Sequence, residues 1–232
     1  ALPYSFTYRL SYQPRLVFSN TFNFWGSNTI TGAQSHSGGY GTREHGKTYE
    51  WMIDQLFKWN KQYGIHNFDF TFLYNLEKYQ SWSSDLSGET FETSQLLSYN
   101  ALQFATKYLL SSSDNYHTGD ALMARLNYTL NSKYLFTLSF RRDGYSAFGQ
   151  RNPRADFPSA AFAWIISDEN FYNIDFLSLL KIRTSWGVNG NRDIGRYSAL
   201  AQLGQNIYSD GTNVLMGVYN TSLANPDLRW ER

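Results

Sequence analysis

The stretch that decides the fold is ALMARLNYTLNSKYLFTLSFRRDG, residues 121–144. Apolar and polar side chains alternate along it on both sides of Asn131-Ser132-Lys133, a cluster typical of a turn. The apolar set before the turn is Leu122, Ala124, Leu126, Tyr128 and Leu130, and the set after it is Tyr134, Phe136, Leu138 and Phe140. Successive side chains of a strand point to opposite faces. The stretch therefore predicts a β-hairpin with one apolar face and one polar face.

The same period of two recurs in four other segments of the chain. Their apolar sets are Leu2, Tyr4, Phe6, Tyr8 and Leu10; Phe68, Phe70, Phe72, Tyr74 and Leu76; Ala160, Phe162, Trp164 and Ile166; and Leu180, Ile182, Thr184, Trp186 and Val188. No charged residue interrupts any of these sets, whereas the complementary positions are mostly polar. This pattern indicates an all-β, antiparallel chain of about eight strands.

The composition excludes several classes of protein. Aromatic residues make up 18% of the 232 residues, the mean hydropathy is −0.48 and the formal net charge is only +1. That charge gives no electrostatic reason to expect a nucleic-acid partner. The chain has no cysteine, so disulfides and thiolate sites are excluded. The first residues, ALPYSFTYRL, do not resemble a signal peptide, and we expect both ends to be internal to a longer chain.

Two fold classes share this alternation. A soluble β-sandwich, for example a carbohydrate-binding module, would turn the apolar face into a core. A transmembrane β-barrel would turn it toward lipid, and the predicted strands of about ten residues match the length that crosses a bilayer at a tilt. The connections also alternate in length, as they do in outer-membrane barrels. Short ones are predicted near 12–15, 60–64, 131–133 and 168–177, and long ones near 26–46, 80–119, 144–156 and 190–226.

Two further features concern the ends of the predicted strands and one long connection. Tyr134, Trp59, Trp164 and Trp186 lie near strand ends, as in interfacial aromatic girdles. A helical stripe within residues 93–110 predicts a short helix inside a long loop. Its members are Leu97, Ala101, Phe104 and Tyr108. This helix would either pack on neighbouring loops or form a lip over a binding site.

Four segments, in order, resemble the SusC/RagA-type TonB-dependent outer-membrane transporters. They are RLNYTLNSKYLFTLSFRRDGYSAFG (125–149), FPSAAFAWIISDENF (157–171), LKIRTSWGVNGNRDIGRYSAL (180–200) and NPDLRWE (225–231). The resemblance implies that residues 1–232 form part of one 22-stranded barrel domain, whose plug domain and C-terminal strands are absent from this sequence. It also implies a location in the outer membrane of a Gram-negative bacterium.

The resemblance further implies import of oligosaccharides or oligopeptides, with a SusD-like surface lipoprotein as partner. Energy would come from TonB through the plug, and no cofactor, metal or catalytic residue is implied. On the barrel interpretation, the polar positions face the lumen: Arg125, Asn127, Thr137, Ser139, Arg141, Lys181 and Arg183. The apolar positions face outer-membrane lipid: Leu126, Tyr128, Phe136, Leu138, Phe162, Trp164, Ile182 and Trp186.

The segment GTREHGKT, residues 41–48, matches the phosphate-binding P-loop pattern with Gly41, Gly46, Lys47 and Thr48. A P-loop follows a buried apolar strand and opens a helix, but the preceding residues are polar and glycine-rich. We interpret the segment as the end of an extracellular loop. A P-loop nucleoside triphosphatase is the remote alternative for the function of the chain.

Other candidate sites are weaker. His36, His45, His66 and His117 lie far apart in sequence and lack metal-ligand spacing, and His36 and His45, which share one predicted loop, are interpreted as solvated histidines. The pair Asp168-Glu169 is interpreted as solvated charges of a short connection. Trp82 and Tyr116 fall in the long predicted loop 80–119 and are the candidate ligand contacts, in a transporter or in a carbohydrate-binding module.

Overall fold

The computed structural model describes residues 5–34, 38–91, 98–174 and 176–231, which are mostly extended chain. The elements in these ranges are β1 (Phe6–Trp25), α1 (Ile30–Gln34), β2 (Tyr40–Tyr63), β3 (His66–Phe91), β4 (Ala105–Leu130), β5 (Tyr134–Tyr145), β6 (Arg154–Ile165), β7 (Lys181–Gly187), β8 (Gln202–Ser209) and β9 (Val214–Ser222). Short 3₁₀ helices occupy Ser98–Phe104 and Ile166–Asp168. No helix within the described residues is long and apolar enough to cross a membrane.

The first seven strands form one sheet in sequence order, β1-β2-β3-β4-β5-β6-β7, and β8 pairs with β9 in a separate hairpin. The pairs β4–β5, β5–β6, β6–β7 and β8–β9 are antiparallel. Each neighbour along the chain is thus a neighbour in the sheet, as in a meander. The predicted all-β, antiparallel class is confirmed.

Two of the turns between strands contain residues in the left-handed backbone conformation, with positive φ. Gly64, with φ of +56°, joins β2 to β3 together with Ile65. Asn131 and Ser132 have φ of +50° and +56°, and the Lys133 N–H donates to the Leu130 carbonyl at 3.1 Å. Positive φ at both central residues is the requirement of a type I′ hairpin turn. The predicted turn at 131–133 is confirmed.

Three strands are much longer than predicted. β2 has 24 residues, and β3 and β4 have 26 each. The predicted long loop at 80–119 is therefore wrong over most of its length, and the one at 26–46 is wrong from Tyr40 onward. Polar residues on both faces of these extensions conceal the period of two, because the hydrophobic pattern reports a strand only where one face is apolar.

The predicted turn at 12–15 is also wrong, because β1 runs through it from Phe6 to Trp25. Pro14 has no N–H and costs the ladder one hydrogen bond, but the strand continues through it. Two predicted strands are thus one, and the hairpin β8–β9 occupies part of the predicted loop 190–226.

The predicted helix at 93–110 is wrong beyond residue 104. The 3₁₀ helix ends at Phe104 and β4 begins at Ala105, while Leu97 lies outside the described residues. Ala101 is fully buried in a small core with Phe91 and Ala105. Packing of Ala105 as a strand residue in this core overrides the helical periodicity.

By contact density the chain divides into two compact units. One comprises residues 1–12, 52–77 and 117–232, and the other 13–51 and 78–116. The core of the first is built around Tyr145, Phe148 and Trp230. The core of the second is the cluster of Phe91, Ala101 and Ala105.

Candidate functional site

The polar face of β4 and β5 brings most of the predicted lumen residues together. Arg125 pairs with Ser139 and Asn127 pairs with Thr137 in the strand register. The Thr137 hydroxyl donates to Asn127 Oδ1 at 2.9 Å. Asn127 Nδ2 in turn donates to Asp69 Oδ1 at 3.3 Å. Side chains of three adjacent strands are therefore linked across one face.

The same face continues along β5 and onto β6. Arg141 Nε donates to both carboxylate oxygens of Asp143, at 2.7 and 2.9 Å. The hydroxyls of Ser139 and Ser159 lie 2.9 Å apart. An arginine held by a carboxylate two residues along the same strand is pre-oriented and keeps its other guanidinium donors available.

Lys181 and Arg183 extend the polar set to β7. Their register partners are Ile165 and Ala163 on β6, and both charged side chains are exposed. No ion pair joins either residue to the described part of the chain. Their charges are free to act on an approaching solute.

Acidic residues belong to this surface as well, and the site prediction left them out. Asn75 Nδ2 donates to Asp54 at 2.7 Å, and Arg192 pairs with Glu77 at 2.6 Å. Asp69 and Glu77 occupy polar positions complementary to the apolar set that runs from Phe68 to Leu76. The partner Arg192 is 115 residues away in sequence. No local pattern could have identified that contact.

The apolar face of the same strands brings the predicted lipid residues together. Leu126 pairs with Leu138, and the rings of Tyr128, Phe136 and Phe162 form a row across β4, β5 and β6. The ring centroids of Tyr128 and Phe136 are 6.0 Å apart, and those of Phe136 and Phe162 are 4.9 Å apart. Leu138 nevertheless remains 58% exposed. The row is a surface, not a core.

This exposed apolar surface reaches the edge strand β7. Trp164 pairs with Ile182 and Ala160 with Trp186, whose side chain is 63% exposed. A shallow apolar hollow of about 430 Å³ lies between Ala124, Leu138, Ala160 and Trp186. Large exposed apolar patches mark contact with protein, ligand or membrane.

Glu169 organises the short-turn end of the sheet. Its carboxylate accepts hydrogen bonds from the Tyr134 hydroxyl at 2.6 Å, Lys133 Nζ at 3.0 Å and Trp164 Nε1 at 3.0 Å. These three donors, Tyr134 foremost, lower the pKa of the Glu169 carboxyl to about 2. The interpretation of Glu169 as a solvated turn charge is wrong, because it ties two neighbouring turns together.

An aromatic cluster packs where the four family-like segments meet. Phe148 stacks on Trp230 with ring centroids 4.8 Å apart, and Phe157 meets the same indole edge-on at 5.5 Å. Tyr145 contacts Phe148 edge-on at 5.9 Å. Trp230 is 93% buried, since only 7% of its surface is accessible. These residues hold the chain after β9 against the ends of β5 and β6.

Two glycines allow this packing. A Cβ at Gly149 would lie 2.1 Å from the Pro226 carbonyl oxygen, and one at Gly190 would lie 2.3 Å from the Phe157 ring. The Gly149 N–H donates to the Leu228 carbonyl at 2.9 Å. The family-like segments therefore meet in a structural cluster, which sequence resemblance alone did not identify.

Trp82 and Tyr116, the predicted loop contacts, lie within β3 and β4. Lys47 Nζ lies 5.4 Å from the centroid of Trp82, and Lys78 Nζ lies 5.3 Å from that of Tyr116. Their assignment to a loop is wrong, because both strands extend far beyond the predicted bounds.

The segment GTREHGKT lies inside β2. It is therefore neither a P-loop nor the end of an extracellular loop. A P-loop needs a turn whose backbone N–H groups surround a phosphate and a helix that follows it. Here the backbone is extended through Lys47 and Thr48 and on to Tyr63. The structure contradicts the nucleotide-binding alternative at this segment.

His45, His66 and His117 lie in strands, so the interpretation of His45 as a solvated loop residue is wrong. His45 Nδ1 lies 2.6 Å from Asn20 Oδ1, and His66 Nδ1 lies 2.7 Å from the Tyr128 hydroxyl. His117 meets the Tyr145 ring edge-on at 5.3 Å. His36 lies outside the described residues. Within the described ranges, no group of three histidine or acidic side chains could hold a metal ion.

Comparison with curated proteins identifies similar TonB-dependent receptors. TonB-dependent receptor P3 of Formosa agariphila is 32% identical over 225 residues, which are 93% of this chain and 22% of the relative. TonB-dependent receptor SusC of Bacteroides thetaiotaomicron is 47% identical over 72 residues, which are 31% of this chain and 7% of the relative. No family model matches the chain.

Solved structures share the fold at lower identity. The RagAB peptide transporter matches with a TM-score of 0.84 and 20% identity, over 97% of this chain and 25% of that chain. The RagAB peptide importer in its open-open state matches with a TM-score of 0.85 and 20% identity, over 100% of this chain and 25% of that chain. The predicted fold, part of a β-barrel wall, is confirmed. The chain spans about a quarter of these structures and 22% of receptor P3.

Proposed function

Because the chain belongs to the SusC/RagA-type TonB-dependent receptors, we propose that it forms part of the wall of an active transport barrel in the outer membrane. The longer protein imports oligosaccharides or oligopeptides into a Gram-negative cell. It draws energy from TonB through a plug domain elsewhere in its sequence and binds a SusD-like lipoprotein at the cell surface. The names of the similar proteins, which are TonB-dependent receptors and a peptide transporter, support this class of function.

The observation that carries the proposal is the contrast between the two faces of the strands β4–β7. One face presents exposed leucine, isoleucine and aromatic side chains, and the other presents hydrogen-bonded polar and charged groups. In a transmembrane barrel lipid-facing and lumen-facing residues alternate along each strand. The apolar set therefore faces lipid and the polar set faces the transport lumen.

A soluble β-sandwich would bury the same apolar face under a second sheet about 10 Å away. The candidate for such a sheet among the described residues is the hairpin β8–β9, whose strands pair with each other and are largely exposed. Leu138 and Trp186 stay more than half exposed. A lipid environment accounts for this exposure, and a carbohydrate-binding sandwich does not.

The polar face is suited to a solute that carries several polar groups. Arg125, Arg141 and Arg183 offer guanidinium donors, while Asp69 and Asp143 offer acceptors on the same side. Such a mixture accommodates both peptide termini and sugar hydroxyls.

The test uses a strain that lacks the gene for the full-length protein. Uptake of a labelled oligopeptide mixture and of a labelled oligosaccharide mixture is measured, with a small porin-permeable sugar as the control. We expect loss of uptake for one mixture, recovery on complementation, and abolition by a protonophore, because TonB draws on the proton gradient. Unchanged uptake of both mixtures, or import that survives the protonophore, would contradict the proposed function.

A further inference from the structure

Two lysines of β2 and β3 share a surface with three aromatic rings. Lys47 Nζ lies 5.9 Å from the ring centroid of Phe18 and 5.4 Å from that of Trp82. Lys78 Nζ lies 5.3 Å from the centroid of Tyr116. We call these five residues the cation–aromatic patch. Each lysine is thus held over the face of a ring, where the ring quadrupole attracts it.

The patch carries more positive than negative charge. Neither lysine forms an ion pair with any described residue. Asp114 lies on the same strand face as Tyr116, so its one negative charge offsets part of the two positive charges of the lysines. The surface is therefore net positive, aromatic and, at Lys47, exposed.

The opposite face of the same strands is chemically different. There Arg15 is neutralised by Glu50 at 2.6 Å, and the Ser111 hydroxyl donates to Asp85 at 3.3 Å. The paired charges lie on one side and the unpaired lysines on the other. A ligand that selects the patch must therefore be anionic and must approach from the outer side of the strands.

The position of the patch along β3 indicates which anion is present there. On the proposed function, a strand crosses the bilayer in about 9–11 residues. β3 begins at His66 beside a short turn, so Lys78, twelve residues further on, lies just beyond the membrane-spanning length. Alternation also puts Lys78 on the strand face of Phe68 and Phe72. That level is the headgroup layer of the leaflet on the side away from this turn, and Lys47, sixteen residues before the end of β2 at Tyr63, lies further out on the same side.

We propose that the cation–aromatic patch binds the headgroup of a phosphorylated glycolipid in the outer leaflet. Lys47 and Lys78 donate to phosphate oxygens, while Phe18, Trp82 and Tyr116 contact the sugar and the first methylenes of the acyl chains. Lysines near an anionic membrane surface favour binding, and aromatic rings favour the same interface. The inference rests on the proposed orientation of the apolar face toward lipid.

The experiment uses the full-length receptor purified in neutral detergent. Binding of fluorescent monophosphoryl lipid A is compared for the wild type, the double variant Lys47→Gln/Lys78→Gln, and the control Lys61→Gln. Lys61 Nζ lies 5.7 Å from the Tyr63 ring at the short-turn end, so the control removes a similar contact on the other side of the bilayer. We expect binding roughly tenfold weaker or more in the double variant. The control and the wild type should bind equally.

Dephosphorylated lipid A is the second probe. Its affinity for the wild type should be as low as the affinity of monophosphoryl lipid A for the double variant. Equal affinity for the two probes, or an unchanged double variant, would overturn the lipid site. Loss of lipoprotein capture by the double variant with normal lipid binding would overturn it in favour of a protein-docking surface. Uptake measured in parallel separates the two proposals. Phosphate-dependent binding without TonB-dependent uptake would contradict the transport function and leave the lipid site standing.

Discussion

The ring of Phe148 stacks on the indole of Trp230, with centroids 4.8 Å apart and planes 22° from parallel. The contact joins the end of β5 to the chain segment that follows β9. It is the centre of the largely buried cluster that also contains Tyr145 and Ala155. The long connections on this side of the sheet are thereby anchored at their base.

Trp230→Ala should consequently destabilise this end of the structure. Removing a buried tryptophan costs about 3–5 kcal/mol, because packing is lost and a cavity remains. The thermal unfolding midpoint of the full-length protein in detergent should fall clearly. The matched control is Trp186→Ala, in which the lost side chain is 63% exposed. Similar midpoints for both variants would show that the cluster is not structural.

A second prediction concerns the carboxylate of Glu169. Its pKa in the folded protein, about 2, lies below the ordinary value for glutamate, so the contribution of the carboxylate to stability is fully present above pH 4.5. That contribution is lost as the pH falls from about 4.5 to 2. Glu169→Gln should remove this part of the pH dependence and lower stability at neutral pH.

The measurement is denaturant unfolding of the full-length protein between pH 2 and pH 7. Asp168→Asn is the control, because Asp168 is adjacent in sequence but accepts none of the three hydrogen bonds that Glu169 accepts. A wild type and a Glu169→Gln variant with parallel pH profiles would contradict the role given to Glu169.

A third prediction addresses the 3₁₀ helix Ser98–Phe104. Ala101 is fully buried against Phe91 and Ala105, so no space exists for a larger side chain. Ala101→Leu should cost about 1–3 kcal/mol through overpacking. Hydrogen exchange at residues 98–105 should accelerate, whereas the exposed control Ala201→Leu should leave it unchanged. Unaltered exchange in Ala101→Leu would mean that this core does not hold the segment.

The alternation of side chains predicted the β4–β5 hairpin and its two faces. Leu126 meets Leu138, and Asn127 meets Thr137, because the short turn at 131–133 fixes the register and the period of two keeps apolar residues on one face. The hairpin turn at Asn131 was also predictable, since asparagine tolerates left-handed backbone. The assignment of the apolar face to lipid is still a prediction.

The extensions of β2, β3 and β4 were not predictable from the pattern. Around Lys47 and Trp82 both faces carry polar residues, so the sequence resembles a loop although the ladder continues. The partners of Glu169 and the contact between Glu77 and Arg192 depend on residues distant in sequence. Such contacts are set by the topology of the sheet and not by local propensity.

The most direct test of the account compares arginine at two adjacent positions of β5 in the full-length protein. Leu138 lies on the apolar face, and Thr137 lies on the polar face, where it donates to Asn127. A charge at the middle of the lipid face costs about 2–4 kcal/mol, whereas a lumen position tolerates it. The measurement is the yield of heat-modifiable, folded barrel in the outer membrane. We predict strongly reduced assembly for Leu138→Arg and near-normal assembly for Thr137→Arg; equal yields, or the reverse order, would contradict the assignment of the two faces.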